Sequence, residues 1–269
     1  MRRKDLPAAI SLSKETIKLL NVERIHRTYD CGQKYVFIAT CSGEYCAIKL
    51  FKYGFGAREK RELEFYQKNS HLKGIPRIKA IHPSKGETIV VEEYIDGNPL
   101  SDINQLYKND GNKIALLING IIDIMDPIWT DLKVHRDLKP ANIIIQESGA
   151  PVVIDFGIFK DSNQSTITET GFQPNSWDFA APEQLLAIKK NITYRTDFFS
   201  LGIIAYYLYY QRLPFGSTKE QVLGKMKSGK LVFTTDEDCP LNKFFNISIQ
   251  FDVSRRARTT IIMKEALIP

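Results

Sequence analysis

The most informative part of the chain is His135-Arg136-Asp137-Leu138-Lys139-Pro140-Ala141-Asn142. Asp155-Phe156-Gly157 accompanies it and begins thirteen residues after the first motif ends. Asp137 can accept a proton from an attacking hydroxyl group, and Lys139 can neutralise a phosphoryl group during its transfer. Asn142 and Asp155 supply hard oxygen ligands of the kind that Mg²⁺ prefers. Phosphoryl transfer depends on positioning and charge stabilisation more than on covalent help, and these residues meet both needs.

A third motif, Ala181-Pro182-Glu183, follows further along the chain. A match to one short motif would be common by chance, whereas the complete set in this order is not. The set resembles that of the eukaryotic-like (Hanks-type) Ser/Thr protein kinases. Lys139 is the choice typical of the Ser/Thr branch, and Ser176 takes the place of a hydroxyl that bridges Asp137 and Lys139 in that family. The resemblance covers about residues 29 to 267.

This resemblance implies an α+β, bilobal protein-kinase-like fold. A small β-rich N-terminal lobe is expected over residues 1–95 and a larger helical C-terminal lobe over residues 96–269, with ATP and Mg²⁺ between them. Sequence patterning agrees, because the segments 113–130 and 197–211 are apolar and long enough for buried helices.

The first third of the chain predicts mainly strands. Ser13 is the predicted N-cap of a short amphipathic helix through Leu20. Residues 24–52 predict strands joined by a turn at Ser42-Gly43-Glu44, and residues 89–91 predict another short strand. Between them, residues 57–69 have helical spacing.

Lys49 ends the run Tyr45-Cys46-Ala47-Ile48-Lys49, which is similar to the Val-Ala-Ile-Lys strand of kinases. The resemblance makes Lys49 the ligand of the α- and β-phosphates of ATP, although a lysine that ends a strand is by itself usually a solvated edge residue. Glu62 is its predicted carboxylate partner, because two aromatic residues follow at the helical spacing that would bury its face. Glu59, one turn earlier, is the alternative.

The predicted phosphate-covering loop departs from the family. A kinase glycine-rich loop would carry three glycines between Tyr29 and Lys34, and only Gly32 is present. Because glycines let backbone amides approach phosphate closely, this loop predicts a stiffer lid or weaker ATP binding.

The segment Glu93-Tyr94-Ile95 resembles the adenine-binding hinge, in which Glu93 and Ile95 would contact ATP through backbone groups. The residue before it, Glu92, stands where the family usually carries an apolar or threonine side chain beside the adenine. Either Glu92 is paired with a nearby basic residue, or this alignment is off by one position.

Two further pairings follow from the resemblance. Asp197 resembles a buried aspartate that accepts hydrogen bonds from the catalytic-loop backbone. Glu183 is expected to pair with a late arginine, either Arg256 or Arg258, and the first of these is favoured by an aspartate four residues upstream.

Arg136 directly precedes Asp137, which in this family usually marks a kinase that needs a phosphate on its activation segment. Lys160 would be a second cation for that phosphate, and Thr168 and Thr170 are the best-placed acceptors between residues 162 and 170. The alternative is a polar loop whose hydroxyl groups are merely solvated.

Composition sets broader limits. The 269 residues are 43% hydrophobic, enough for one large domain or two small lobes, and the formal net charge of +6 is spread along the chain. We therefore expect a solvated surface and no nucleic-acid partner. The four cysteines form no CxxC pair and no metal-ligand spacing, which favours buried thiols in a reducing compartment. With no apolar leader or membrane-length segment, we expect a cytoplasmic location and no membrane partner.

The sequence is thus interpreted as an ATP- and Mg²⁺-dependent Ser/Thr protein kinase that phosphorylates protein substrates and can autophosphorylate. One alternative is a pseudokinase that binds nucleotide as a scaffold, which the degenerate glycine loop and Glu92 favour. The intact residues of the predicted site count against it, namely Lys49, Asp137, Asn142 and Asp155. The other alternative is a small-molecule kinase of the aminoglycoside or choline type, which would share the catalytic aspartate and asparagine but lack the Ala-Pro-Glu segment.

Overall fold

The computed structural model describes residues 11–31, 34–51, 57–84, 87–156, 160–161 and 177–268. The chain divides after Asp96 into two compact units, and each is described here by itself. Several predicted features lie outside the described residues: Gly32, Gly157, Ser176, the segment 162–170, and the side chains of Glu59, Glu62 and Lys160.

The first unit is built on an antiparallel sheet with the strand order β1-β2-β3-β5-β4. Its elements in chain order are α1 (Lys14–Leu19), β1 (Val22–Asp30), β2 (Lys34–Cys41), β3 (Glu44–Phe51), α2 (Ala57–Lys68), β4 (Ile78–Ser84) and β5 (Glu87–Glu93). The predicted helix cap is confirmed, since the Ser13 hydroxyl accepts a hydrogen bond from the amide of Thr16.

The hairpin between β2 and β3 sets the register of the sheet. Ser42 and Gly43 both have positive φ, 49° and 81°, which is the backbone that a tight two-residue hairpin turn requires. Side chains then alternate between the two faces of β3. Cys46 and Ile48 join one buried cluster, whereas Phe51 packs on the other face with Leu63 of α2.

Strand β4 was not predicted from the sequence. It pairs only with β5, at one edge of the sheet. An edge position tolerates Pro83, which cannot donate to a second neighbour and which weakens the strand signal in the sequence.

The second unit is mainly helical. Its strands are β6 (Asn98–Pro99), β7 (Lys133–Val134), β8 (Ile143–Ile145), β9 (Pro151–Val153) and β10 (Lys160–Asp161). Its helices are α3 (Leu100–Ile103), α4 (Gly111–Thr130), α5 (Pro182–Leu185), α6 (Tyr194–Tyr210), α7 (Lys219–Lys227), α8 (Asn242–Ser248) and α9 (Thr260–Glu265). The short strands form two small sheets, β10-β7 and β6-β8-β9.

Helices α4 and α6 form the core of this unit and confirm the two predicted apolar helices. Asp110 caps α4 by accepting a hydrogen bond from the amide of Lys113. Residues 196 to 206 of α6 are all buried, and this explains why the segment is apolar around its whole circumference. Among the described helices, none has the length and apolar character needed to cross a membrane.

Candidate active site

The catalytic-loop motif lies between β7 and β8 in the second unit. A short 3₁₀ turn at Pro140–Asn142 leads the chain into β8. Strands β8 and β9 are antiparallel partners, and the amide of Ile154 donates a 2.9 Å hydrogen bond to the carbonyl of Asn142. Antiparallel pairing therefore places Asp155, the next residue, beside the end of the catalytic loop.

The structure brings three predicted catalytic side chains together. Oδ2 of Asp137 accepts hydrogen bonds from Nζ of Lys139 at 2.8 Å and from Nδ2 of Asn142 at 3.1 Å. Asp137 and Asn142 are both buried, and the side chain of Lys139 is 20% exposed. A carboxylate held between a cation and an amide is fixed in its orientation, as a proton acceptor must be.

Asn142 and Asp155 were the predicted metal ligands. Nδ2 of Asn142 donates to both the carboxylate and the carbonyl of Asp137, so the amide is turned with Oδ1 as its remaining ligand atom. Asp155 has a positive φ of 69°, a backbone conformation that costs a non-glycine residue roughly 1–3 kcal/mol. An amide oxygen and a carboxylate are the donors that a hard cation such as Mg²⁺ selects, so the residues present fit that ion.

Asp197 holds the backbone of the catalytic loop, as the resemblance predicted. Oδ2 accepts hydrogen bonds from the amide of His135 and Nε1 of Trp129, and Oδ1 accepts one from the amide of Arg136. Burial raises the pKa of the Asp197 carboxyl, and these N–H donors act in the opposite direction. The carboxylate thus fixes the loop at the two residues that precede Asp137.

His135 is a core residue in this structure. Its side chain is wholly buried, and its ring packs 4.8 Å from that of Phe156. Nδ1 lies 3.3 Å from the amide of Asp137 and accepts its hydrogen bond. These contacts give His135 a structural role in the core.

The predicted pairing of Glu183 with a late arginine is confirmed, and the partner is Arg256. The guanidinium group binds both carboxylate oxygens, with Nη1 to Oε1 at 2.7 Å and Nη2 to Oε2 at 2.8 Å. Thr196 donates a further hydrogen bond to Oε1. Both charged side chains are almost wholly buried, so this ion pair ties α5 to the C-terminal part of the second unit.

Gln184 is a site residue that the sequence did not reveal. Its Nε2 donates a 2.7 Å hydrogen bond to the carbonyl of Arg136, and its Oε1 accepts one of 3.1 Å from the amide of Ala181. The side chain therefore joins the Ala-Pro-Glu segment to the catalytic loop. Its place directly after Glu183 was the one available signal.

In the first unit, Lys49 pairs with Glu92. Nζ of Lys49 lies 2.5 Å from Oε1 of Glu92, and the two side chains are only 7% and 4% exposed. The sequence left Glu92 either paired with a basic residue or misaligned, and the structure pairs it. The role of Glu62 as a partner of Lys49 stays a prediction, because its side chain is outside the described residues.

The predicted hinge follows directly. Glu93 ends β5, and its amide donates a 2.9 Å hydrogen bond to the carbonyl of Arg77. Ile95 lies two residues beyond the strand. Contacts of Glu93 and Ile95 with ATP stay predictions.

Comparison with known proteins identifies the family. The model of the protein kinase domain matches residues 30–263, so the chain belongs to the protein kinase domain family. Its relatives include a probable serine/threonine-protein kinase of Lactococcus lactis, 31% identical over 63% of this chain and 28% of the relative. Serine/threonine-protein kinase D of Synechocystis is 28% identical over 73% of this chain and 39% of its own length.

A third relative, a serine/threonine-protein kinase of Mycobacterium tuberculosis, is 26% identical over 72% of this chain and 47% of its own length. In each of these three comparisons the matched region spans less than half of the relative's length.

Proposed function

We propose that the chain is an ATP- and Mg²⁺-dependent Ser/Thr protein kinase, which transfers the γ-phosphate of ATP to a hydroxyl group of a protein. The observation that carries this proposal is the arrangement of Asp137, whose carboxylate is held by Lys139 and Asn142. Family membership and the names of the relatives support the same activity.

Asp137 orients the acceptor hydroxyl and takes its proton. General-base catalysis of this kind contributes roughly 10²–10⁴-fold to a rate. Lys139 lies beside that carboxylate and places a positive charge where negative charge develops on the transferring group. The buried hydrogen bonds of Asp197 hold the loop in position before substrate arrives, so little reorganisation is needed during the reaction.

Asn142 and Asp155 are the residues of the second unit that would hold Mg²⁺, and Lys49 is the residue of the first unit that would bind phosphates of ATP. Bound Mg²⁺ supplies charge neutralisation for the phosphate oxygens. The turned amide of Asn142 supports this assignment. The identity of Lys139 and the Ser/Thr kinases among the relatives favour serine or threonine as acceptor.

The proposed substrates are proteins, including other copies of this chain, since autophosphorylation is expected of the family. A cytoplasmic location stays a prediction from the sequence.

The test is transfer of radiolabelled phosphate from ATP, with Mg²⁺, to a generic basic protein. Asp137→Asn should lower the rate by roughly 10²–10⁴-fold while the fold is retained. Asp131→Asn is a matched control, because Asp131 also pairs with a lysine two residues later, Lys133, at 2.8 Å but in a more exposed place.

A residual rate for Asp137→Asn within a few-fold of the unsubstituted chain would contradict the assignment. Nucleotide binding without transfer would favour the scaffold alternative. Label on an aminoglycoside or choline, with none on protein, would favour the small-molecule kinase.

A further inference from the structure

The ion pair between Lys49 and Glu92 is set by the register of the sheet. Strands β3 and β5 are antiparallel neighbours, in which Ala47 is paired with Glu92 and Lys49 with Val90. Lys49 and Glu92 are therefore diagonal neighbours on one face of the sheet, within reach of long side chains. Their charged atoms meet at 2.5 Å.

Burial makes this contact important for the stability of the fold. Both side chains are more than nine-tenths removed from solvent, and an isolated buried charge is costly. Replacing one partner of a buried ion pair with a neutral side chain is strongly destabilising, because the remaining charge loses part of its compensation. The aromatic ring of Tyr66, from α2, has its centroid 5.5 Å from Nζ of Lys49 and adds a cation–π contact to the ammonium group.

The carboxylate of this ion pair comes from a different element than the one that the family resemblance predicts. Glu62 would reach Lys49 from helix α2, a separate element. Glu92 belongs to the strand that is hydrogen-bonded to the strand of Lys49, so the backbones of the two residues keep a fixed distance while β3 and β5 stay paired.

We propose that Glu92 is a positioning residue, which holds the ammonium group of Lys49 through the register of the sheet and independently of helix α2. The proposal rests on the proposed function in one respect, namely that Lys49 serves the phosphates of ATP. Two carboxylates on different elements then share the positioning of one lysine. The opposing model is that Glu92 competes with phosphate for Lys49 and inhibits ATP binding.

The first experiment tests the ion pair without reference to activity. Hydrogen exchange of the β3 and β5 amides is measured in the full chain, in Lys49→Met, in Glu92→Gln and in the double variant. Exchange reports local opening of these strands. We expect each single variant to lower the protection of these amides. In the double variant, protection should be at least about tenfold higher than the product of the two single effects would predict.

A matched control exists in the same unit. Glu44 and Lys79 form an ion pair at 2.8 Å with side chains 76% and 37% exposed. The cycle of Glu44→Gln and Lys79→Met should show a coupling of less than about fivefold, since exposed pairs contribute little. Equal coupling in the two cycles would overturn the claim that Glu92 holds Lys49.

The second experiment uses ATP kinetics. Glu92→Gln should raise the KM for ATP at least severalfold. Lys49→Met should then raise this KM much less in the Glu92→Gln background than in the unsubstituted chain. Glu62→Gln should have a small effect in the unsubstituted chain and a large one beside Glu92→Gln, because the two carboxylates share one task. A purely structural role for Glu92 would not produce this dependence on Glu62.

An unchanged or lower KM for ATP in Glu92→Gln would overturn the proposal and support competition with phosphate. If the unsubstituted chain transfers no phosphate, the proposed function fails. The hydrogen-exchange cycle would still decide whether Glu92 holds Lys49, so the two failures are distinguishable.

Discussion

The indole nitrogen of Trp129, near the end of α4, donates a 2.8 Å hydrogen bond to the carboxylate of Asp197 in the first turn of α6. That same carboxylate accepts the amides of His135 and Arg136. One buried group therefore joins the two core helices of the second unit to the loop that carries Asp137.

This arrangement predicts that Asp197→Asn is strongly destabilising. The two carboxylate oxygens of Asp197 accept hydrogen bonds from N–H donors, but an asparagine side chain has only one oxygen. Its NH₂ group would face at least one of these N–H donors and could not accept from it. Hydrogen bonds to charged groups are worth about 1.5–3 kcal/mol each, so we expect a loss of about 2–5 kcal/mol. Trp129→Phe should cost less, because it removes one donor and keeps an aromatic ring beside Phe198. Urea unfolding followed by far-ultraviolet circular dichroism measures both; equal losses would contradict this account.

The ion pair between Glu183 and Arg256 predicts that lysine cannot replace the arginine. A lysine places one ammonium group where two guanidinium nitrogens bind two carboxylate oxygens. Breaking a buried pair costs about 3–5 kcal/mol, and Arg256→Lys should lose a large part of that. Arg258→Lys is the matched control, because Arg258 is exposed and should change stability by less than about 0.5 kcal/mol. Similar unfolding midpoints for the two variants would show that the bidentate geometry is unimportant.

Close packing of α6 against α8 predicts that Gly202→Ala is destabilising. A methyl group at Gly202 would lie 2.4 Å from Oγ of Ser248 and 2.7 Å from a side-chain carbon of Ile249. Overpacking of this kind costs about 1–3 kcal/mol. Gly224→Ala, in α7, has nothing within 4 Å and should instead gain about 0.5–1 kcal/mol from helix propensity. Thermal unfolding of the two variants should therefore shift in opposite directions.

Cys46 predicts a loss of stability at alkaline pH. Burial, reinforced by the neighbouring Cys41 thiol with its sulfur at 2.8 Å, raises the pKa of Cys46 to about 12. Above pH 9 the unfolded chain loses this proton while the folded chain keeps it, so the free energy of unfolding falls as pH rises. The slope approaches about 1.4 kcal/mol per pH unit for one group. Cys46→Ala should have a shallower slope between pH 9 and pH 11, measured by urea unfolding with Cys239→Ala as control.

The sequence predicted the parts of the site that lie close together along the chain. Asp137 and Asn142 are five residues apart and belong to one loop, so their proximity follows from the local motif alone. Helices α4 and α6 could also be predicted from the sequence, because a long apolar segment is compatible with few structures other than a buried helix.

Contacts across the sheet were harder to predict. Helical spacing suggested Glu62 as the partner of Lys49, but which residue of β5 lies diagonal to Lys49 depends on the register of two strands separated by a helix and another strand. Glu92 was noticed only as an unusual residue. The short contact between Cys41 and Cys46 was missed for a related reason, since the register of the hairpin decides that these thiols, five residues apart, lie on one face.

Gln184 has a mechanical consequence for the catalytic loop. Its planar amide touches two backbones at once, the amide of Ala181 and the carbonyl of Arg136, and so acts as a rigid spacer between them. A shift of the segment before α5 would therefore act on the peptide bond that joins Arg136 to Asp137. The backbone positions of Ala181 and Asp137 are thus mechanically coupled through one side chain.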